Sequence, residues 1–264
     1  MRSLPGSTPI HTDSSLDWRT SNPPAPIDDV SVPREPITEE MKNFLYQDVL
    51  PRAIIGVVGG SDLEKMCEQL NGQEFLHKFD YVFPENGLVQ YEGGKEVGKV
   101  SIIQHLGEDT LKRFINFCLH YIADLDLPIK RGTFVEFRNG MLNISPIGRN
   151  CSPEERKQFY QYDNVHQVRQ KMIDRLREEF AEVDLTYSVG GQISFDVYPV
   201  GWDKTFCLRH VFKRPSAFRA IHFFGDKTDP GGNDYEIYSH EKTIGHRVTS
   251  PDDTRKQLTE LLKL

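Results

Sequence analysis

The stretch 53-AIIGVVGGSDLEKMCEQL-70 decides the fold class of this chain. Its first six residues form a continuous apolar run of strand length, and two glycines end that run. The residues from Leu63 to Leu70 have the composition and spacing of a helix. A buried strand, a glycine turn and a helix begin a βα unit. The sequence therefore predicts an α/β core with a parallel sheet that is buried on both faces.

Length and composition limit the class of protein. A chain of 264 residues can hold one large domain or two smaller ones, and its charged and hydrophobic fractions, 27% and 38%, are typical of a globular protein. The formal net charge of −7 argues against a nucleic-acid partner. No apolar run approaches the roughly 20 residues that a membrane span needs, and the first residues lack a basic-then-apolar pattern, so we do not expect secretion. Four scattered cysteines without CxxC spacing fit a reducing cytoplasm.

The middle of the chain has a different pattern from the core. Two amphipathic helices are each followed by two alternating segments, and an Asn-Gly or a Gly-Gly pair separates those segments. This order predicts an antiparallel α+β unit. The helices are expected over 107–125 and about 165–181, and the hairpins over 132–148 and 185–199, with turns at 139–140 and 190–191.

These patterns divide the chain into four segments. Residues 1–36 hold seven of the sixteen prolines and six serines, and we expect them to be disordered. Residues 37–93 and 201–264 are expected to form a discontinuous α/β core, whose first helix has Thr38 as its N-cap. Residues 94–200 are expected to form an inserted cap domain.

The loop 225-GDKTDPGGNDYEI-237 is the strongest candidate for chemistry. It follows an apolar strand, and ligands of open α/β sheets bind beyond the carboxyl ends of strands. Asp226, Asp229 and Asp234 offer hard oxygen ligands that suit magnesium. The alternative is an acidic turn in which the aspartates cap backbone groups.

Two further positions at the core have both a functional and a structural explanation. Ser61, at the start of a helix after a buried strand, can hold a phosphate oxygen with nearby backbone N–H groups, or it can simply be an N-cap. Lys204, in 201-GWDKTFCL-208, can neutralise a carboxylate cluster or an aspartyl-phosphate, or it can be a solvated helix residue.

The cap segment contains a set of candidate ligand-binding residues. Arg138, Arg149 and Arg156 offer planar donors that suit phosphate. Ser194 and Asp196 are two residues apart on a predicted strand, so they face the same side, where they can bind sugar hydroxyls. The alternative is that the arginines are solvated or ion-paired surface residues.

Six stretches carry a resemblance to a known family: GVVGGSD, FDYVFPENGL, KRGTFVEFRNGMLNISPIGR, GGQISFDV, GWDK and GDKTDPGGNDYEI. In order and spacing they closely resemble the eukaryotic phosphomannomutases, which belong to the haloacid dehalogenase-type superfamily. The resemblance extends from about Ile37 to the C-terminus. It implies a Rossmann-like core with a cap, and conversion of mannose 6-phosphate to mannose 1-phosphate for GDP-mannose synthesis and glycosylation.

The resemblance also implies cofactors, partners and residue roles. The family requires Mg²⁺, is primed by a hexose 1,6-bisphosphate and dimerises through its caps. Ser61 and Lys204 would stabilise the transferring phosphoryl group, and Asp234 would shape the loop around Asp226. The matching positions are Arg34, Arg138, Arg149, Arg156, Ser194 and Asp196 for substrate, Asp226 for magnesium, and Tyr238 and Thr243 for a second ion, beside which His240 replaces the usual acid.

The match fails at the start of the chain. The family carries its nucleophile and its general acid/base in a D-x-D-G-T loop after the first core strand, and this chain contains no such motif. Counting back from Arg34 without gaps places those two positions at Ala25 and Ile27. The segment 20-TSNPPAP-26 is rich in proline, so we expect that it cannot form a central strand. Asp28 and Asp29 are adjacent, which points them to opposite sides of a strand, and we interpret them as a solvated pair.

Two hypotheses follow from this departure. In the first, the chain is a phosphomannomutase with an altered N-terminal segment, as an alternative transcript or a misassigned first exon would give. In the second, it is a non-catalytic paralogue that binds sugar phosphate or dimerises. A phosphatase of the same superfamily is a third reading, but it also requires the missing aspartates.

Overall fold

A computed structural model describes residues 25–27, 36–213 and 218–264 of the chain. A seven-stranded sheet forms the core, with the strand order β11-β10-β1-β2-β3-β4-β5. The strands β11, β10, β1, β2 and β3 are parallel, and β4 and β5 are added antiparallel. The core strands are β1 (Ala25–Ile27), β2 (Ile55–Val58), β3 (Tyr81–Phe83), β4 (Val89–Glu92), β5 (Lys95–Lys99), β10 (His222–Gly225) and β11 (Ile244–Arg247).

Helices cover both faces of this sheet, as the apolar run over 53–58 predicts. Neighbouring residues of one strand pack in separate clusters on opposite faces, for example Val57 and Val58 in β2. One face packs on α1 (Glu39–Phe44), α2 (Leu63–Gln69), α3 (Phe75–Lys78) and α10 (Pro251–Leu262), and the other on α8 (Phe206–Val211) and α9 (Tyr235–Tyr238). Thr38 caps α1 as predicted, since its hydroxyl accepts from the Met41 N–H at 3.2 Å.

Strand β1 corrects a prediction about the N-terminal segment. It lies between β10 and β2, with Ile27 paired to Phe224 and to Val57, so the view that this proline-rich segment cannot supply a central strand is wrong. Pro26 removes one ladder donor, but Ala25 and Ile27 on either side keep theirs, and a strand of three residues loses no more than that. Of the segment 1–36 that we expected to be disordered, residues 1–24 and 28–35 lie outside the described residues.

A four-stranded antiparallel sheet forms the second unit, with the strand order β6-β7-β9-β8. Both predicted hairpins are present. Its apolar face packs on α5 and α7, while the opposite face carries polar side chains. The elements are α4 (Ile102–Leu106), α5 (Glu108–Asp124), β6 (Val135–Phe137), β7 (Leu142–Ile144), α6 (Pro153–His166), α7 (Val168–Glu179), β8 (Leu185–Gly190) and β9 (Ser194–Pro199).

The boundary between the two units differs from the one expected at residue 94. Strand β5 pairs with β4 and belongs to the core sheet, so a division at residue 94 would cut the β4–β5 hairpin. The cap elements follow β5, beginning with α4. No disulfide joins the four cysteines. Among the described helices, none has the length and apolar character needed to cross a membrane.

Candidate functional site between core and cap

The carboxyl ends of β1, β2 and β10 lie at one edge of the core sheet, because these strands are neighbours and parallel. Ser61 and Asp226 follow β2 and β10 at that edge. Asp62, and not Ser61, caps α2, since its carboxylate accepts from the Lys65 N–H at 2.9 Å. The N-cap explanation of Ser61 is therefore wrong, which leaves its half-buried side chain available to the cleft.

A buried ion pair supports the loop after β10. Lys204 Nζ lies 2.5 Å from Asp234 Oδ1, and the two side chains are 2% and 0% exposed. The other carboxylate oxygen of Asp234 accepts from the Lys227 N–H at 2.9 Å. Asp234 thus fixes the loop that presents Asp226, as the sequence resemblance implies, and Lys204 is not the solvated residue of the alternative explanation.

Asp226 follows the carboxyl end of β10, which is where ligands of open α/β sheets bind. It is half-buried after β10, where Lys227 Nζ pairs with it. The residues described here contain no group of three histidine, cysteine or acidic side chains that could hold a metal. Mg²⁺, however, binds through one or two carboxylates and keeps water and substrate phosphate as its other ligands. Asp226 therefore fits one ligand of such an ion.

The loop proposed for a second ion is held mainly by its own backbone. Thr243 Oγ1 lies 2.5 Å from the Ile237 carbonyl and 3.0 Å from the His240 carbonyl. His240 Nδ1 accepts from the Lys242 N–H at 3.2 Å, and its ring stacks on Phe212. His240 thus takes part in local packing, and the loop offers carbonyl oxygens but no carboxylate at that position.

The cap contributes a row of polar side chains on its open face. Glu136, Asn143 and Asp196 are direct cross-strand neighbours on β6, β7 and β9. The apolar neighbours of Asn143 in the chain, Leu142 and Ile144, are buried against the helices on the other face. Strand alternation therefore directs Asn143 and its partners away from the cap's core.

The predicted cap arginines are anchored to this row. Arg138 Nε lies 2.7 Å from Glu136 Oε1, and Arg149 Nε pairs with the other oxygen of Glu136. Arg149 Nη1 also donates to Asn143 Oδ1 at 2.6 Å. Arg156 is held beside them, since its Nη2 donates to the Arg149 carbonyl at 2.9 Å. The arginines are thus ion-paired, as the alternative explanation states, but they are also gathered at one place.

Ser194 and Asp196 join the same network. Asn143 Nδ2 donates to Ser194 Oγ at 3.1 Å and to Asp196 Oδ1 at 2.7 Å. All five cap residues proposed from the sequence therefore lie in one cluster, which Glu136 and Asn143 connect. Sequence reasoning missed these two connecting residues. Their alternation with apolar neighbours in the predicted hairpin was the available signal.

Core and cap face each other across two adjoining hollows of about 440 and 310 Å³. Ser61 and Arg138 line the larger one, from opposite sides. Asp196 of the cap and Glu236 of the core line the smaller one. Burial, with the charges of Asp203 and Asp234, raises the pKa of Glu236, and burial together with Asp203 raises the pKa of Tyr198 to about 12.

The cap hairpin is docked on the core next to the cleft. Asn139 Nδ2 donates to Glu85 Oε2 and to the Val100 carbonyl, each at 3.0 Å. The Glu85 N–H in turn donates to the Ser61 carbonyl at 2.8 Å. These bonds link the turn that precedes β7 to the loop that carries Ser61. The remaining predicted substrate residue, Arg34, and the pair Asp28 and Asp29 lie outside the described residues.

Solved structures of similar fold include proteins described as an IMP-nucleotidase and a trehalose-6-phosphate phosphatase. SMU.1108c from Streptococcus mutans covers 92% of this chain and all of its own, with a TM-score of 0.63 and 12% identity. The Aspergillus fumigatus trehalose-6-phosphate phosphatase covers 92% of this chain and 93% of its own, with a TM-score of 0.56 and 14% identity. At these identities the likeness shows the fold alone, an α/β core with an inserted antiparallel cap, as predicted.

Sequence comparison is more specific. Residues 41–264 match the sequence model of the family described as eukaryotic phosphomannomutase. A Drosophila melanogaster phosphomannomutase is 65% identical over 235 residues, which are 89% of this chain and 92% of that protein. A Glycine max phosphomannomutase is 60% identical over 88% of this chain and 92% of its own length. The resemblance seen in the sequence is confirmed: this chain belongs to the eukaryotic phosphomannomutase family.

Proposed function

We propose that the cleft of this chain is a phosphomannomutase site, which binds the substrates of the interconversion of mannose 6-phosphate and mannose 1-phosphate that supplies GDP-mannose for glycosylation. The observation that carries the proposal is that Ser61 of the core and Arg138 of the cap line one hollow. A sugar phosphate in that hollow would have its transferring group at the core and its other end at the cap.

The cap residues would bind the part of the substrate that does not react. Arg149 keeps guanidinium N–H groups beyond those bound to Glu136 and Asn143, and these are suited to a phosphate. Ser194 and Asp196 would bind sugar hydroxyls. Binding the remote end of the substrate fixes the orientation of the reacting end, which is where positioning lowers the barrier.

The core residues would act on the phosphoryl group that moves. The Ser61 hydroxyl would donate a hydrogen bond to a phosphoryl oxygen, and Lys204, held by Asp234, would supply positive charge at the same edge. Asp226 would hold Mg²⁺, which offsets the negative charge of the phosphoryl group when it is bound. A hexose 1,6-bisphosphate is the proposed activator.

In the family reaction an aspartate attacks phosphorus, the sugar oxygen leaves as the new aspartyl–phosphate bond forms, and a second aspartate supplies the proton to that oxygen. This sequence has no D-x-D-G-T motif to supply the two carboxylates. Ala25 and Ile27, the positions reached by counting without gaps, are the first and last residues of β1 and are not acidic. This observation favours the second candidate function, a non-catalytic protein that binds sugar phosphate.

Turnover by the chain as written tests the catalytic half of the proposal. Purified protein, with its sequence verified by mass spectrometry, is given mannose 1-phosphate, glucose 1,6-bisphosphate and Mg²⁺, and formation of mannose 6-phosphate is followed. We expect no rate above that of the Asp226→Asn variant, because the nucleophile motif is missing. Robust turnover would contradict this expectation. Asp28 and Asp29 directly follow β1 in the sequence, and the variants Asp28→Asn and Asp29→Asn would then show whether either aspartate supplies the nucleophile.

Calorimetric titration with mannose 1-phosphate tests the binding half. We expect binding that Arg149→Ala weakens at least tenfold, because a charge-assisted pair is lost. Undetectable binding would overturn the proposed site. A transcript that joins a D-x-D-G-T segment to the matching region would favour an active enzyme, and a message that begins as written would favour the binding protein.

We also propose a cytoplasmic homodimer that forms through the cap. Apolar side chains on the cap are exposed in the single chain, among them Leu119, Tyr160 and Val165. Light scattering after size exclusion would measure the mass. A monomer at micromolar concentration would contradict the dimer.

A further inference from the structure

Asn143 is the centre of the polar row on the open face of the cap. It is on β7, the strand between β6 and β9, and only 5% of its surface is exposed. A buried amide has to satisfy both its carbonyl and its amino group, because each unpaired group costs free energy. The hydrogen-bond partners of Asn143 therefore show which side chains it holds in position.

The two ends of the amide bind groups of opposite charge. Asn143 Oδ1 accepts from Arg149 Nη1 at 2.6 Å, and Nδ2 donates to Asp196 Oδ1 at 2.7 Å. A guanidinium can only donate and an ionised carboxylate can only accept. The orientation of the amide is thereby fixed, and a carboxylate or an ammonium at this position could satisfy only one of the two partners.

Asn143 also separates these two charges. Arg149 has its ion pair with Glu136, on the far side from Asp196. A direct pair between Arg149 and Asp196 would bring the cation into contact with a second carboxylate and would occupy an acceptor of Asp196. Both groups would then be less available to a ligand, since an ion-paired guanidinium and carboxylate satisfy each other.

We propose that Asn143 is a positioning residue that joins the phosphate-binding arginine to the hydroxyl-binding pair and keeps Arg149 and Asp196 from pairing directly. The inference rests on the proposed function for the identity of the ligand. It does not rest on it for the arrangement of the side chains. Ser194 belongs to the same unit, because it receives the second Nδ2 hydrogen bond at 3.1 Å. Loss of Asn143 is expected to disturb both subsites together.

The first test needs no ligand. In a crystal structure of Asn143→Ala, we expect the Arg149 guanidinium to move within about 4 Å of the Asp196 carboxylate, the limit for an ion pair. Unchanged positions of both side chains would overturn the inference. Asn143→Ser, which leaves a hydroxyl in the buried position, replaces the alanine variant if that protein does not fold.

The second test uses inorganic phosphate as the probe, titrated by ³¹P NMR. Asn143→Ala is expected to weaken phosphate binding at least fivefold, because Asp196 then neutralises Arg149. Adding Asp196→Asn to that variant removes the competing carboxylate and is expected to restore binding to within twofold of the original protein. A residue with a merely structural role would show no such recovery.

Asn150→Ala is the matched control. Asn150 is an exposed cap residue whose Oδ1 accepts from Thr133 Oγ1 at 3.3 Å, outside the polar row. It is expected to leave phosphate binding unchanged. A double variant that binds as weakly as folded Asn143→Ala would overturn the inference. If the original chain binds phosphate but not mannose 1-phosphate, the proposed function fails and the positioning role is still decided by this recovery.

Discussion

The two sides of the cleft hold their charges in different ways. On the core side, Lys204 and Asp234 are almost completely buried and directly paired at 2.5 Å. On the cap side, Arg138 and Arg149 remain 41% and 28% exposed, and they share one carboxylate, that of Glu136. A buried charge is part of the fold, whereas a half-exposed charge can change partners at little cost.

This difference predicts a separation of stability from ligand binding. Substitution of either member of the Lys204–Asp234 pair should mainly destabilise the protein, because the remaining buried charge would have neither a partner nor water. Substitutions of the half-exposed charged residues of the polar row should mainly change what the cleft binds, since solvent can replace a lost partner. The predictions below test that separation, beginning with the largest expected effect.

Lys204→Met should be the most destabilising change. It leaves the Asp234 carboxylate buried without its ammonium partner, and breaking a buried pair in this way costs about 3–5 kcal/mol. Urea unfolding would measure the loss in the free energy of unfolding. Lys65→Met is the control, because Lys65 pairs with Glu68 at the surface and should cost less than about 1 kcal/mol.

A second variant separates the charge from the packing at this position. Lys204→Met combined with Asp234→Asn removes both charges but keeps an acceptor for the Lys227 N–H. We expect it to recover at least half of the lost stability. If Lys204→Met lowers the free energy of unfolding no more than Lys65→Met does, the buried pair does not stabilise the core and the comparison fails.

The sequence predicted those parts of the molecule that depend on local pattern. The apolar run over 53–58, the Thr38 cap and the hairpin turn at Asn139-Gly140 all specify structure within a few residues, and each is present. Strand β1 was missed because a rule about proline was applied to a segment whose pairing depends on two distant strands.

The candidate site divides in the same way. The arginines, Ser194 and Asp196 were identified from residue type, and the structure brings them together. Glu136 and Asn143 were missed because their role arises only when β6, β7 and β9 align. Asn143 and Asp196 are 53 residues apart in the chain, and no periodicity spans that distance.

Glu136→Gln should destabilise the protein less than Lys204→Met does, but it should change the preference of the cleft for mannose 1-phosphate over inorganic phosphate. Its ion pairs with Arg138 and Arg149 are half-exposed, so their loss should cost less than about 1 kcal/mol in urea unfolding. Without the shared carboxylate the two guanidiniums repel and lose their fixed orientation. We expect the affinity for mannose 1-phosphate, relative to inorganic phosphate, to fall several-fold in calorimetric titrations.

Glu154→Gln makes the same change of charge elsewhere in the cap. Glu154 is exposed in the first turn of α6, and the relative affinity should not change. A loss of selectivity in both variants would attribute the effect to net charge and not to the orientation of the arginines. A loss of stability above about 2 kcal/mol for Glu136→Gln would show that the polar row, like the Lys204–Asp234 pair, is needed for stability, and the comparison would fail.

The smallest effect is expected from pH, and it should arise in the core. His222 Nδ1 and His246 Nε2 are 2.8 Å apart on β10 and β11, whereas the four cap strands contain no histidine. When both rings are neutral, one imidazole can donate its N–H to the other at this distance. If both rings were protonated, two positive charges would be in contact. Burial lowers the pKa of both side chains, and for His222 the charge of His246 lowers it further.

A lowered pKa means that the unfolded chain takes up protons before the folded one does. Well above pH 6.5 the two imidazoles are neutral in both the folded and the unfolded chain, so protonation does not change the free energy of unfolding there. Stability should be lost as the pH falls below 6.5. In urea unfolding between pH 7.5 and 5.5, His222→Gln should lose less stability than the original protein, because one buried imidazole and its repulsion are gone. His120→Gln, an exposed change on α5, should follow the original protein. If His222→Gln also follows it, the acid sensitivity arises from other groups, and the core owes none of it to this pair.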